Sequence, residues 1–273
     1  VNGIDGSKME DQNVNPEDVL ESISLTAEKF IAASEERNRI QEETKKSGKC
    51  IGCNRGKVTC MSEKIGQTLM FDCPNISFDC RYGKSLVELF KKEIARKMIE
   101  TCGVPERHVN VINSDDFKKT ESIKKTSKWD YSNNVILVGS IGTGKSVCAA
   151  HLVKRFLYDR CGRDPLDYLK WYTCLPDIAR RVVWTTPYEF AYIQGAREKA
   201  MNSILLIVDD MGKDDERIKN HTNYIIGKRY DMNRPTIFTT NDSLEVIRSI
   251  YGQRTYDRLL GATVITITGE SKR

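Results

Sequence analysis

The run from 133 to 147, NNVILVGSIGTGKSV, constrains this chain more than any other segment. A short apolar stretch, Val135 to Val138, leads directly into Gly139-Ser140-Ile141-Gly142-Thr143-Gly144-Lys145-Ser146. That spacing fits GxxxxGKS, the phosphate-binding loop, in the strand-before and helix-after context that the pattern requires. Glycines at 139, 142 and 144 allow backbone angles that side chains forbid, so successive N–H groups can turn inward on a phosphate. A helix beginning near Lys145 adds its partial positive N-terminus. Lys145 is expected to reach the β- and γ-phosphates of ATP, with Ser146 on Mg2+ and Val147 completing the loop's binding residues.

Downstream, strands and helices alternate, and that pattern predicts an α/β fold with a parallel sheet covered on both faces. The expected strands are 135–138, 182–185, 204–208, 236–239 and 263–268. The expected helices are 145–160, 187–199, 216–232, 243–250 and 253–260, with local helix in the long connection 159–180. The strand from Ile204 ends in Asp209 and Asp210. Asp209 is placed to hold the Mg2+ shell, and Asp210 to orient an attacking water or accept its proton. Aspartate at 210 is one methylene shorter than glutamate, which leaves open slow hydrolysis or help from an acid such as Glu216. The strand Thr236–Thr240 ends in Asn241 and should neighbour the Asp209 strand. Asn241 then has two compatible readings, a holder of the attacking water near the γ-phosphate and a helix cap before Ser243. Arg254 and Arg258, four apart, share one helix face. They read either as phosphate-seeking forks supplied to a neighbouring subunit or as an ordinary basic face paired with Asp257.

The N-terminal third reads differently. Residues 1–14 are polar and are expected to be a disordered or tag-derived tail, with native sequence from Met9. A capped helix should run from Asn15-Pro16 to about Lys46, its stripe Leu20, Ile23, Ala27, Phe30 and Ile31 serving as core or as a partner-helix surface. Residues 50–80 hold five of the nine cysteines and few large apolar side chains. Ser85-Leu-Val-Glu88 resembles a capping box opening a second helix that ends near Gly103. The expected division is therefore 1–14, 15–101 and 102–273. The net charge of +5 is compatible with nucleic acid and equally with an ordinary solvated surface. No apolar run is long enough to cross a bilayer, and no signal-peptide pattern opens the chain. A cytoplasmic setting without membrane partners is the expectation, with cysteines as metal ligands or free thiols.

With its four elements in this order, the chain resembles the AAA+ helicase loaders of the DnaC and DnaI type, and also their transposition relative, the IstB ATPase. The resemblance covers 102–273 and is carried by CGVPERHVNVINSDDF, GSIGTGKS, ILLIVDDMG, GKRYDMNRPTIFTTN and GQRTYDRLLGATVITITGESKR. It implies an AAA+ P-loop ATPase core. Lys145 and Ser146 take the Walker A roles, Asp209 and Asp210 the Walker B roles, and Asn241 the sensor role. Arg254 and Arg258 fall where trans-acting arginines lie, and Arg229 sits at a recurrent Arg-Tyr position that can face a neighbour. It also implies the absence of a C-terminal helical lid, a bacterial or phage-infected cell, homo-oligomers formed on ATP or DNA, a replicative hexameric DnaB-type helicase as partner, and single-stranded DNA. DnaI-type loaders have a zinc-bearing N-terminal region. By that resemblance, Cys50, Cys53, Cys73 and Cys80 form the favoured Zn2+ set of a small helical zinc-binding domain, with Cys60 as substitute. Free thiols in a small fold are the alternative.

Four functions compete. The first is an ATP-dependent helicase loader, whose N-terminal region grips the helicase. The second is an IstB-like transposition ATPase acting on DNA with a transposase. The third is a small-molecule kinase, which would want a lid and an acceptor pocket. The fourth is a nucleotide-gated adaptor that barely hydrolyses ATP.

Overall fold

The structure, a computed structural model, describes residues 16–48, 52–54, 56–75, 77, 79–117, 120–162, 168–212 and 214–268. The tail 1–14, Asn15 and Cys50 lie outside these residues, as do the side chains of Leu20, Ile23 and Trp171. The chain forms two compact units, Val1–Ser85 and Leu86–Arg273.

In the first unit, α1 (Pro16–Ser47) is followed by an antiparallel hairpin of β1 (Lys57–Ser62) and β2 (Gln67–Asp72). The strands alternate as a half-buried sheet should. Val58 and Ser62 on β1, and Leu69 and Phe71 on β2, point inward, while Met61 and Met70 are exposed. Val58, Phe71 and Cys73 make a small core, with Ile40 of α1, Cys53 and Cys60 against it. Glu36 of α1 is also buried there. It accepts hydrogen bonds from Ser62 Oγ at 3.1 Å and from Arg39 at 2.7 and 2.9 Å. Those bonds, Arg39's above all, hold its carboxyl well below the usual range.

Cys50, the first of the expected zinc ligands, lies outside the described residues. Among the described residues no three His, Cys, Asp or Glu side chains gather to hold a metal ion. Cys53, Cys60 and Cys73 pack with the apolar cluster. Cys80 has a different task. Its sulfur accepts the N–H of Gly83 at 3.1 Å, and its carbonyl accepts the N–H of Lys84, so it caps the start of α2 (Arg81–Glu100). The cap moves the helix start four residues ahead of the expected Ser85. Ser85 Oγ instead donates back to the Arg81 carbonyl inside the helix.

The division between the units falls inside α2. Its residues Phe90, Ile94 and Met98 belong to the core of the larger unit. After α3 (Glu106–Asn113) and α4 (Glu121–Thr126), that unit runs β3 (Val135–Val138), α5 (Lys145–Cys161), α6 (Tyr168–Arg180), β4 (Val182–Thr185), α7 (Pro187–Tyr192) and α8 (Ala196–Asn202). It continues with β5 (Leu205–Met211), α9 (Glu216–Asp231), β6 (Thr236–Thr240), α10 (Leu244–Tyr251), α11 (Gln253–Leu259) and β7 (Thr263–Thr266). The expected single helix 187–199 is two, because Gly195 turns the chain at a φ of 78° and caps α8.

The five strands form one parallel sheet in the order β4-β5-β6-β3-β7. The central strands β3, β5 and β6 are buried on both faces, so β3 and the first four residues of β5 read as continuous apolar runs, whereas edge strand β7 is mostly exposed. Val135 and Leu137 of β3 face the α2, α3, α5 and α6 side, while Ile136 faces the α7 to α11 side. The order places β6 between β5 and β3. The strand ends carrying Asp209, Asn241 and the phosphate loop are consequently neighbours.

Arg229 of α9 is the largest fully buried side chain among the described residues. It does not face a neighbour, contrary to expectation. It donates to the carbonyls of Ala200, Ser203 and Pro235 and to the hydroxyls of Ser203 and Thr236. Among the described residues no carboxylate pairs with it, and burial pushes its pKa well down. A charge held only by fixed dipoles clamps α9 to the ends of α8, β5 and β6. Arg229→Ala strands those oxygens and should cost at least about 3 kcal/mol, read as a lower urea midpoint at unchanged slope. A cost below about 1 kcal/mol would contradict the clamp.

Candidate nucleotide-binding site

The loop between β3 and α5 is built as its glycines require. Gly142 and Gly144 have φ of 83° and 93°, and Gly144 caps α5 in the left-handed region. Gly139 is needed for space. A Cβ there would lie 2.4 Å from the carbonyl oxygen of Ile267 and 3.0 Å from Thr143 Oγ1. Thr143 Oγ1 donates to the Ser140 carbonyl at 2.9 Å, and Gly139 N–H donates to the Thr240 carbonyl at 3.3 Å. The loop is thus tied to its neighbouring strand, while Ile141 at its tip is exposed.

Lys145, at the first position of α5, is buried. Its Nζ donates to the Gly139 and Ser140 carbonyls at 2.8 Å each and to Asn241 Oδ1 at 2.7 Å. Asn241 Nδ2 in turn donates to Asp210 Oδ1 at 3.2 Å. A chain of contacts therefore runs Lys145, Asn241, Asp210 across three strand ends. Beside it, Ser146 Oγ donates to Asp209 Oδ1 at 2.9 Å. The same carboxylate oxygen accepts the hydroxyl of Thr239 at 2.6 Å. Asp209 is buried, whereas Asp210 is exposed with a left-handed φ of 61°.

These residues fit a Mg2+-bound nucleoside triphosphate on their own geometry. The loop's left-handed glycines and the unpaired N–H groups inherent to a helix start suit phosphate oxygens. A hydroxyl and a carboxylate already 2.9 Å apart, Ser146 and Asp209, are hard oxygen donors of the kind Mg2+ takes. Lys145, Ser146, Asp209, Asp210 and Asn241 are brought together; the late arginines are not part of this group.

Arg254 and Arg258 separate clearly. Arg254 is exposed. Arg258 folds onto its own chain: its guanidinium fills the space over Gly227, where a Cβ would lie 2.4 Å from it. It also faces Asp231 at 3.8 Å and the ring of Tyr230 at 5.9 Å. The same helix is pinned along α9 by Thr255 Oγ1 on Asn223 Oδ1 at 2.7 Å, and Asn223 Nδ2 donates to the Tyr251 carbonyl at 3.1 Å.

Two residues were missed in the sequence. Thr239 touches both acids, and a hydroxyl inside a strand buried on both faces was the available signal. Asp214 is the acid whose charge couples to that of Asp210. Burial raises its pKa, the Asp215 and Asp210 charges add to this, and Tyr251 OH donates to it. Glu216, the acid expected to assist, is ion-paired with Lys219 at 3.9 Å at the start of α9.

No family model matches this chain, and no curated protein matches it to a significant degree. Among solved structures it is similar to the DnaC helicase loader, at 18% identity and a TM-score of 0.44, over 60% of this chain and 100% of that one. It is similar to DnaI at 18% identity and a TM-score of 0.39, over 67% and 93% of the two chains. It is also similar to AMPPCP-bound DnaA from Aquifex aeolicus, at 18% identity and a TM-score of 0.37, over 56% and 46%. At these values the similarities assign no activity, partner or residue role to this chain.

Gly139→Ala tests the packing of the loop. Its added methyl meets backbone, which cannot swing aside, so the change should cost about 2 kcal/mol of stability in thermal or urea unfolding. Unchanged stability would mean that the loop does not lie against Ile267 as described.

Proposed function

We propose that this chain is an ATP-dependent loader that places a replicative hexameric helicase on single-stranded DNA. The observation that carries the ATPase part is the contact chain Lys145–Asn241–Asp210, with Ser146 and Asp209 beside it. Lys145 would leave its carbonyl and amide partners for the β- and γ-phosphates. Ser146 and Asp209 would hold Mg2+, which when bound neutralises charge developing on the phosphates. Asn241 and Asp210 would hold the water. Its oxygen bonds to the γ-phosphorus as the bond to the β–γ bridging oxygen breaks, and Asp210 takes the proton.

The helicase and DNA come from the resemblance of 102–273 to the DnaC and DnaI type. An exposed face of the larger unit supports the DNA part. Tyr188 and Tyr192 stack at 4.6 Å, Arg217 lies 4.8 Å over the Tyr192 ring, and Lys228 lies 5.8 Å over Tyr224. Arg197 and His221 meet between them at 3.2 Å. Rings interleaved with cations suit the bases and backbone of a single strand, with salt-sensitive affinity. The Val1–Ser85 unit is the candidate grip on the helicase. Homo-oligomers would complete the site, with Arg254 reaching the neighbour's nucleotide and Arg258 held at home. Pull-down with a replicative helicase against a transposase separates this reading from the IstB-like one.

Lys145→Ala should abolish ATP binding and helicase loading together; undiminished loading would sink the ATP switch. Arg254→Ala should keep ATP binding while turnover at saturating ATP and DNA falls at least about 100-fold. Arg258→Ala should instead lower the unfolding temperature. Equal turnover losses with unchanged stability in both variants would overturn this division of labour.

A further inference from the structure

Neighbouring side chains on a strand leave it on opposite faces. Asp209 and Asp210 nevertheless both turn toward the phosphate-loop side of the sheet, one to Ser146 and the other to Asn241. The strand register shows how. Val208 pairs with Phe238 and Met211 with Thr240, so the two acids stand opposite the single residue Thr239. This is a β-bulge, the device by which a strand re-aims one side chain at the cost of a ladder hydrogen bond.

The hydroxyl of Thr239 fills the gap. It accepts the N–H of Asp210 at 2.9 Å and donates to Asp209 Oδ1 at 2.6 Å. Thr239 is 1% exposed, so water cannot take over either bond. The hydroxyl of the adjacent Thr240 is engaged elsewhere, accepting the N–H of Asp242 at 3.0 Å. Asp210 at its φ of 61° occupies a region that non-glycine residues rarely adopt, and surrounding contacts must hold it there.

We propose that Thr239 is a positioning residue for ATP hydrolysis. Its side chain staples the Asp209–Asp210 bulge and so aims two consecutive carboxylates at one site. The bulge re-aims the backbone at the point where Asp210 carries one methylene fewer than glutamate. The inference rests on the roles given above to Asp209 and Asp210.

The test compares Thr239→Val, isosteric but without the hydroxyl, with Thr239→Ser, which keeps it. In the nucleotide-free full chain, amide exchange at Asp210 should quicken at least about 10-fold in the Val variant and stay near wild type in the Ser variant. With ATP, Mg2+ and single-stranded DNA, kcat of the Val variant should fall about 100-fold with KM within about threefold, and serine should restore it. A purely structural role would lower stability in both variants without this split between kcat and KM. If the Val variant does not fold, Thr239→Cys takes its place with the same expectations, since S–H is a weak donor. Unchanged exchange at Asp210, or serine failing as valine does, overturns the staple. Asp210→Asn separates the two readings. If it abolishes turnover while Thr239→Val does not, the staple fails and the ATPase stands; if it leaves turnover intact, both fail. A wild-type chain without turnover overturns hydrolysis as the purpose, while the exchange result still decides whether the bulge is held by Thr239.

Discussion

Parallel pairing of β5, β6 and β3 is the constraint on which the rest of the site depends. In a parallel sheet every strand ends at the same edge, and here the middle strand of the three is shared. Asn241 therefore stands between the phosphate loop and the acids by virtue of strand order alone. It can touch Lys145 on one side and Asp210 on the other without any long loop to bring it there. Burial of both sheet faces makes that order costly to disturb, since any slip would move Val135, Leu137 and Ile136 off the two helical layers they serve.

Lys145 shows what such an edge does to a charge. Its ammonium is buried, and each of its three donors has an oxygen at hydrogen-bonding distance. An unpaired buried ammonium would be expensive, and these partners make it tolerable. Two of the three oxygens belong to the loop itself. The loop therefore shapes the lysine's resting position, and an incoming anion competes with these neutral dipoles.

Much of this was legible in the sequence. The strand-glycine-lysine run, the apolar strand ending in two acids and the strand ending in Asn241 are local patterns, and the structure has each where the pattern places it. Local patterns failed where the deciding partner was distant or chemically ambiguous. The hairpin Lys57–Asp72 was hidden because its inward positions include Cys60 and Ser62, so alternation was faint and the cysteines suggested metal instead. The start of α2 was misplaced because a sulfur, Cys80 Sγ, serves as the cap in place of the usual oxygen. Thr239 escaped notice because a bulge is a property of two strands in register, which neither strand reveals alone. Arg254 and Arg258 are alike in spacing and type. Only the gap at Gly227, one turn before Asp231 on another helix, distinguishes them.

The seating of Arg258 over Gly227 has a mechanical side. The helix α9 is capped by Asp215, in the loop that follows the acids, and spans 16 residues, about 24 Å. Near its far end it carries the notch that receives Arg258, and midway it holds Thr255 through Asn223. One stiff rod is thus fastened at its head to the acid loop and along its length to the short helix that displays Arg254. Tyr251 closes the triangle by bonding Asp214 at the head. The three fastenings tie the acid loop to the outer surface that carries Arg254, and the missing side chain at position 227 sets the gauge of that linkage.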